Sequence, residues 1–204
     1  KPFSDEAGNG MHVHLSVVDK DGNNVFTMDK NKQPQGLFSH AIGGLLKTTP
    51  DFLSFYAPHS NSYRRLVHNA DHAPTTLSWG NENRTALIRL PEASAEATRL
   101  EFRVASADSN PYLVFASVLA SVYAGIQGKL QHDKETIGNA HAQHPPSLGV
   151  TWREAVEKTS VSSLVKDFFG EQFQQCYTCV KESEIKRFES TITDFEYHSY
   201  LRSL

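Results

Sequence analysis

Hydrophobic and polar positions alternate most clearly at residues 10–18. Met11, Val13, Leu15 and Val17 share one parity; His12, His14 and Ser16 share the other. That period of two predicts a half-buried strand. Asp19-Lys20-Asp21-Gly22-Asn23-Asn24 follows as a turn, and Val25-Phe26 begins a return strand. The Asp19/Asp21/Asn23 spacing resembles a calcium loop, but its Gly falls too early and Lys30 stands where the closing Glu belongs, so the hairpin turn is preferred. From residue 36 the period becomes helical: Leu37, Phe38, Ala41, Ile42, Leu45 and Leu46 form one stripe. Gly43-Gly44 weakens that helix unless something packs closely there. Thr49-Pro50 reads as an N-cap and first helical residue opening a second helix over 51–56.

Residues 57–83 are irregular and polar, with a short strand at 75–79. Residues 84–90 and 99–104 read as further strands. In the latter, Arg99, Glu101 and Arg103 alternate with Leu100, Phe102 and Val104. Asn110-Pro111 caps and opens a helix to about residue 125, whose broad apolar face predicts burial. Residues 128–150 read as a polar, solvated connector that carries His132, His141 and His144. Thr151 caps a helix over 152–158, and the remainder reads as a helical tail with outward charges. The pattern predicts an α+β fold: a curved antiparallel sheet packed with helices from residues 37, 50 and 111. The break at 130–150 separates a mixed front section from the tail, not two domains.

Composition narrows the function classes. The 204 residues carry 20 Lys+Arg against 23 Asp+Glu, so no strong basic field for nucleic acid exists. No apolar run reaches the about 18–20 residues that span a bilayer. Only two cysteines occur, Cys176 and Cys179, in a stretch that reads as helix; they are ordinary thiols of a reducing, cytoplasmic setting. The chain opens on Lys1 rather than Met, which suits either a mature N-terminus or a piece cut from something longer.

The strand faces carry the candidate chemistry. Solvated sheet faces favour Thr, Lys and Glu, whereas here one strand offers His12, His14 and Ser16 and another Arg99, Glu101 and Arg103. Arg64, Arg65, Arg84 and Arg89 lie between them. A His and a carboxylate together hold divalent ions. Guanidinium groups clamp phosphate and carboxylate oxygens in pairs of hydrogen bonds. Those are parts of a phosphoryl-transfer site. The same rows also suit a cross-strand salt-bridge ladder with surface histidines. Gly8-Asn9-Gly10 allows close backbone approach but is neither a Walker A loop nor G-x-G-x-x-G.

Six ordered segments resemble the glutamine synthetase family. Gly8-Asn9-Gly10-Met11-His12-Val13-His14-Leu15-Ser16 resembles G-x-G-M-H-x-H-x-S. Ile42-Gly43-Gly44-Leu45-Leu46-Lys47, Asn61-Ser62-Tyr63-Arg64-Arg65-Leu66 and Asn83-Arg84-Thr85 through Ile88-Arg89-Leu90-Pro91 match further family motifs. So do Arg99-Leu100-Glu101-Phe102-Arg103 and Asn110-Pro111-Tyr112-Leu113. The resemblance implies a ligase that uses ATP to phosphorylate the γ-carboxylate of glutamate, after which ammonia or an amine displaces phosphate. It implies Mg²⁺ or Mn²⁺, and a double-ring homo-oligomer for full-length relatives. By matching position, His12 and Glu101 resemble metal ligands. His14, Ser16, Arg89 and Arg99 resemble ATP contacts. Gly8, Asn9, Gly10, Arg65 and Arg103 resemble the glutamate site, and Arg84 the phosphate-stabilising arginine.

Two departures set the expectations. The family's upstream E-x-E carboxylates have no counterpart, so residues 1–204 are expected to be the C-terminal part of a synthetase-like catalytic domain, inactive alone, with apolar surface exposed. In the flap, His72 stands where ammonia-using members carry a glutamate, with Asp71 beside it. Trp79-Gly80-Asn81-Glu82-Asn83 is similar to γ-glutamyl-amine ligases. His72 is read as a base or as a surface loop residue. A catalytically silent structural member is the alternative; a guanidino kinase relative fails on motif order.

Overall fold

Leu100 and Phe102, fully buried, set the sheet around which the molecule is built. The structure, a computed structural model, describes residues 1–67, 69–70 and 73–201. Its main sheet joins β1 (Val13–Leu15), β4 (Trp79–Asn81), β5 (Ile88–Leu90) and β6 (Leu100–Phe102) in the order β1-β6-β5-β4. The β1–β6 and β5–β6 pairs are antiparallel, with Val13 opposite Phe102 and Ile88 opposite Phe102. The β4–β5 pair is parallel, an addition to the antiparallel reading. The alternation of residues 11–17 holds: Val13 is buried while His12, His14 and Ser16 are exposed.

The turn after β1 forms as read. Asp19 Oδ1 accepts from the Asp21 and Asn23 N–H groups, each at 2.9 Å, so the carboxylate closes an Asx-type turn. The return segment pairs by the Val25 N–H on the Val17 carbonyl, 2.8 Å. The named strands lie further on: β2 (Thr27–Met28) pairs with β3 (Pro34–Gln35).

The largest correction concerns Pro50. Residues 36–56 form one helix, α1 (Gly36–Tyr56), with Pro50 inside it. Proline removes one backbone donor, normally a helix-ending loss. The loss falls on the Leu46 carbonyl, while the Thr48 and Thr49 hydroxyls donate to the neighbouring Gly44 and Leu45 carbonyls at 2.9 and 2.6 Å. Burial on both sides of Pro50 holds the helix together, with Ile42, Leu45, Phe52, Leu53, Phe55 and Tyr56 in the core. The Gly43-Gly44 question is answered by α3 (Pro111–Gln127). A Cβ on Gly44 would stand 2.2 Å from the Ser121 carbonyl oxygen and 2.7 Å from the Gly125 Cα. The glycines let the two helix backbones touch.

α3 is capped by Asn110, whose side chain accepts from the Tyr112 and Leu113 N–H groups. Only one face is buried, however. Val114, Ser117, Val118, Ser121, Val122 and Gly125 face inward, while Tyr112, Phe115, Leu119 and Tyr123 are exposed. The small residues choose the buried side because α1 approaches too closely for aromatics.

The strands read at 75–79 and 84–90 are shorter than expected. Residues 84–87 turn before β5, because Asn83 accepts from the Thr85 N–H and hydroxyl at 3.0 and 2.7 Å. The connector at 128–150 is not solvated slack. The Thr136 N–H donates to the Trp79 carbonyl, the Leu148 N–H to the Thr75 carbonyl, and Trp79 Nε1 to the Asp133 carbonyl. It carries α4 (Ala140–Gln143) and covers the β4 edge, which would otherwise invite foreign pairing. His141 is buried against the Thr75 hydroxyl at 3.0 Å, and His144 meets the Thr136 hydroxyl at 2.8 Å, so the histidines have separate structural partners.

The tail contains α5 (Trp152–Val161), α6 (Ser163–Phe169), α7 (Glu171–Glu189) and α8 (Asp194–Tyr200). Thr151 and Glu154 form the capping box of α5. Phe169, Phe173 and Tyr177 pack on Phe55, and the Tyr177 hydroxyl donates to the Ser54 carbonyl at 2.7 Å. Cys176 and Cys179 are free and exposed on α7, the helix read for that stretch. No described helix is long and apolar enough to cross a membrane.

Candidate active site

β6 lies between β1 and β5, so its central residue has a neighbour on each side. Glu101 stands opposite His14 on β1 and Arg89 on β5, and Arg89 stands opposite Gly80 on β4. This gives one polar row across the sheet, opposite the face that buries Leu100 and Phe102. Glu101 is 4% exposed, so its charge needs partners. Arg103 Nη1 donates to Oε1 and Arg89 Nη1 to Oε2, both at 2.8 Å. His12 Nδ1 lies 2.9 Å from Oε1. The ladder alternative is met in part: Arg89 and Glu101 pair across strands and His12 and His14 are exposed, but Glu101 and Arg103 are buried.

The electrostatics follow from these contacts. Burial pushes the Glu101 carboxyl toward protonation, but Arg89, Arg103 and His12 outweigh it and hold its pKa below the usual value. Burial, then Arg103, lowers the His12 pKa against the pull of Glu101. A neutral His12 that donates from Nδ1 keeps its lone pair on Nε2.

A second arginine cluster adjoins the first. Arg65 is buried, and its Nη2 donates to the Val104 and Ala105 carbonyls at the end of β6. Burial pushes its pKa down to about 10, Asp108 opposes the shift, and Arg103 adds to it. The glycine segment lies against this side chain. A Cβ on Gly8 would be 2.9 Å from Arg65 Cγ, and one on Gly10 would be 3.1 Å from Arg65 Nη1 and 3.5 Å from His12 Nε2. Arg65 Nε and Arg89 Nε are buried and lack a partner among the described residues. Buried donors without partners mark where a ligand's acceptors would be satisfied.

His14 and Arg99 form a separate pair, Nδ1 to Nε 3.2 Å. Ser16 and Asn9 are exposed near the same strands. Arg84 is exposed; its carbonyl accepts from Arg103 Nη2 at 3.0 Å. His72 lies outside the described residues.

Two supporting carboxylates escaped the sequence reading. Asp108 accepts from the Ser62 hydroxyl and meets His59 Nδ1, each at 3.2 Å. It thereby ties α2 (Ser60–Tyr63), just before Arg65, to the loop after β6. Glu82 Oε2 accepts from Arg89 Nη2 at 2.7 Å. Nothing in local spacing announces either contact.

The donor set does not fit a complete metal centre. His12 and Glu101 meet, but among the described residues no group of three or more His, Cys, Asp or Glu gathers to hold an ion. Both Glu101 oxygens are engaged by guanidinium groups, and His12 faces Glu101 rather than lying beside it toward a shared point. As arranged, Glu101 orients His12, the way a carboxylate holds a ligand histidine. Mg²⁺ prefers six near-octahedral oxygens, more than the described residues offer there.

Comparison with known proteins is consistent with this geometry. The family model described as glutamine synthetase, catalytic domain, matches residues 1–200. Gamma-glutamylputrescine synthetase PuuA of Escherichia coli (strain K12) is 32% identical over 203 residues, 100% of this chain and 43% of that protein. Gamma-glutamylethanolamide synthetase GlnA4 of Streptomyces coelicolor is 33% identical over 95% of this chain and 41% of its own length. The glutamine synthetase of Thermotoga maritima is 34% identical over 98% of this chain and 47% of its own length. The chain thus spans less than half the length of these relatives. A match running from end to end, on a sheet that brings His12, Glu101, Arg89 and Arg103 into contact, leaves one conclusion: the chain belongs to the glutamine synthetase family, within its catalytic domain.

Proposed function

We propose that the protein is an ATP-dependent ligase that joins the γ-carboxylate of glutamate to ammonia or an amine. The observation that carries this reading is the buried Glu101 carboxylate bracketed by Arg89, Arg103 and His12 beside Arg65. In the proposed reaction a γ-carboxylate oxygen attacks the γ-phosphorus of ATP. The bond to ADP breaks and a γ-glutamyl phosphate forms. The nitrogen of the acceptor then attacks the acyl carbon, phosphate departs, and one proton leaves the nitrogen.

This chain's residues divide the work. Arg65 and Arg103 clamp glutamate carboxylates, with Gly8, Asn9 and Gly10 offering backbone at close range. Arg89, Arg99, His14 and Ser16 hold ATP, and Arg84 neutralises charge on the transferred phosphoryl group. His72 takes the acceptor's proton. A divalent ion, Mg²⁺ or Mn²⁺, would neutralise phosphate charge when bound; His12 and Glu101 are the residues of this chain offered to it, once their mutual contact opens. Their number, and the relatives' greater length, support reading residues 1–204 as the C-terminal part of a longer catalytic domain; that the full-length enzyme forms a ring and is cytoplasmic is proposed from the family resemblance. PuuA and GlnA4, together with the Trp79-Gly80-Asn81-Glu82-Asn83 segment, favour an amine acceptor.

The test is ADP release by the full-length protein with ATP, Mg²⁺ and glutamate, comparing ammonium, putrescine, methylamine and ethanolamine. Turnover with an amine is expected; an exclusive preference for ammonium overturns the amine reading. No ADP release with any acceptor leaves the silent, structural reading. Residues 1–204 alone are expected to release no ADP.

A further inference from the structure

We propose that Glu82 is the positioning residue of Arg89, and through it sets how tightly the protein holds nucleotide phosphates. The inference rests on the nucleotide reading of Arg89 given above and adds a residue which that reading leaves out.

Arg89 is fixed at both ends. Its Nη1 donates to Glu101 Oε2 at 2.8 Å and its Nη2 to Glu82 Oε2 at 2.7 Å. A free arginine side chain surrenders much rotational freedom on binding an anion; one already tethered surrenders little. The two carboxylates leave Nε and the second hydrogens of Nη1 and Nη2 for a further acceptor. Charge is balanced as well: Glu82 and Glu101 stand against Arg89 and Arg103, so an arriving phosphate meets no excess of negative charge.

Glu82 is itself held more firmly than a surface glutamate needs to be. Its backbone is left-handed, φ +50°, a region that non-glycine residues seldom enter. Its N–H donates to the Leu90 carbonyl at 3.0 Å, and its Oε1 accepts from the Glu92 N–H at 2.5 Å. Backbone and both carboxylate oxygens are therefore all tied to residues 89–92. Exposed ion pairs contribute little to stability, so Glu82, with its side chain 49% exposed, gives the fold slight reason to keep this conformation. Strained backbone of this kind gathers at functional sites. Glu82 also lines a cavity of about 580 Å³ whose walls include Phe26, Met28, Leu90 and Pro91, so the carboxylate that tethers Arg89 stands beside a concavity.

The experiment uses the full-length protein. ATP binding is titrated without glutamate, and KM is measured for ATP and for glutamate, in wild type, Glu82→Gln, Glu82→Asp and Glu92→Gln. Glu92→Gln removes a nearby carboxylate that pairs with Lys32 instead of Arg89. Losing the charged tether is expected to weaken ATP about tenfold in Glu82→Gln while glutamate changes less than about twofold. Glu92→Gln should match wild type. Glu82→Asp keeps the charge but not the reach; it should lie between, and it carries the test should Glu82→Gln not fold. Unchanged or tighter ATP binding in the Glu82 variants, or equal losses for ATP and glutamate, overturns the inference alone. A wild type that binds no ATP overturns the nucleotide reading itself, and the inference with it.

Discussion

At the scale of single residues, the site depends on a few buried charges whose removal is costly. Arg103→Lys keeps the positive charge but loses the planar fork that reaches both Glu101 and the Arg84 carbonyl. It should cost about 3 kcal/mol, because Glu101 stays buried with one fewer partner; thermal unfolding measures this. Gly8→Ala would place a methyl group 2.9 Å from Arg65 Cγ. It should raise KM for glutamate in the full-length protein with little change for ATP. Much of this was legible beforehand. The period of two placed His12 and His14, and Arg99 with Glu101 and Arg103, on polar faces, and the motifs picked out the same residues. Asp108 and Glu82 were not, since each acts across a loop closure that sequence spacing does not encode.

At the scale of elements, local rules served where one element decides and failed where two meet. The N-caps at Asn110 and Thr151 formed as read, because capping is a matter of neighbouring residues. Thr49-Pro50 looked like another such start, yet burial against α3, α5 and α6 carries α1 through it. The double glycine turned out to be a contact. Gly44→Ala should lower stability by about 3 kcal/mol or more in urea unfolding, since the methyl group would meet backbone, which cannot step aside.

The connector offers a pH test. Glu135 accepts from the Asn81 N–H at 2.9 Å, from Asn81 Nδ2 at 2.8 Å and from Gln33 Nε2 at 2.8 Å. Burial opposes ionisation, but these bonds hold its pKa below the ordinary 4.5. The unfolded chain therefore takes up this proton first as pH falls. The stabilisation is full above about 4.5 and fades as pH drops through the lower native value. Glu135→Gln should cost about 1 kcal/mol at neutral pH. It should also flatten the acid limb of the stability curve, read by denaturant unfolding at several pH values.

At the scale of the whole molecule, two apolar surfaces stand open. One is the Tyr112, Phe115, Leu119 and Tyr123 stripe of α3; the other comprises Ile192, Phe195, Tyr197, Tyr200 and Leu201. Contiguous apolar surface of this kind invites association. Residues 1–204 alone should bind a hydrophobic dye, and Leu119→Glu should reduce both dye binding and light scattering without lowering the unfolding midpoint. Composition gave little warning, because exposure is a property of packing and not of residue counts.

The strand order has a kinetic consequence. Arg89, Glu101 and Arg103 lie on or just beyond two neighbouring strands joined by a short connection, and they can find one another early. His14 and Arg99, by contrast, are separated by 85 residues of chain. Joining β1 to β6 therefore closes a long loop, the slower kind of event. β1 is also short and lies at the sheet's edge. Amide hydrogens of residues 13–15 should exchange faster than those of residues 100–102 under native conditions. His12, just ahead of β1, and Glu101 would then be the last pair to assemble and the first to part. The sheet would thus open and close like a latch at this one edge, with the Arg89–Glu101–Arg103 set as its fixed side.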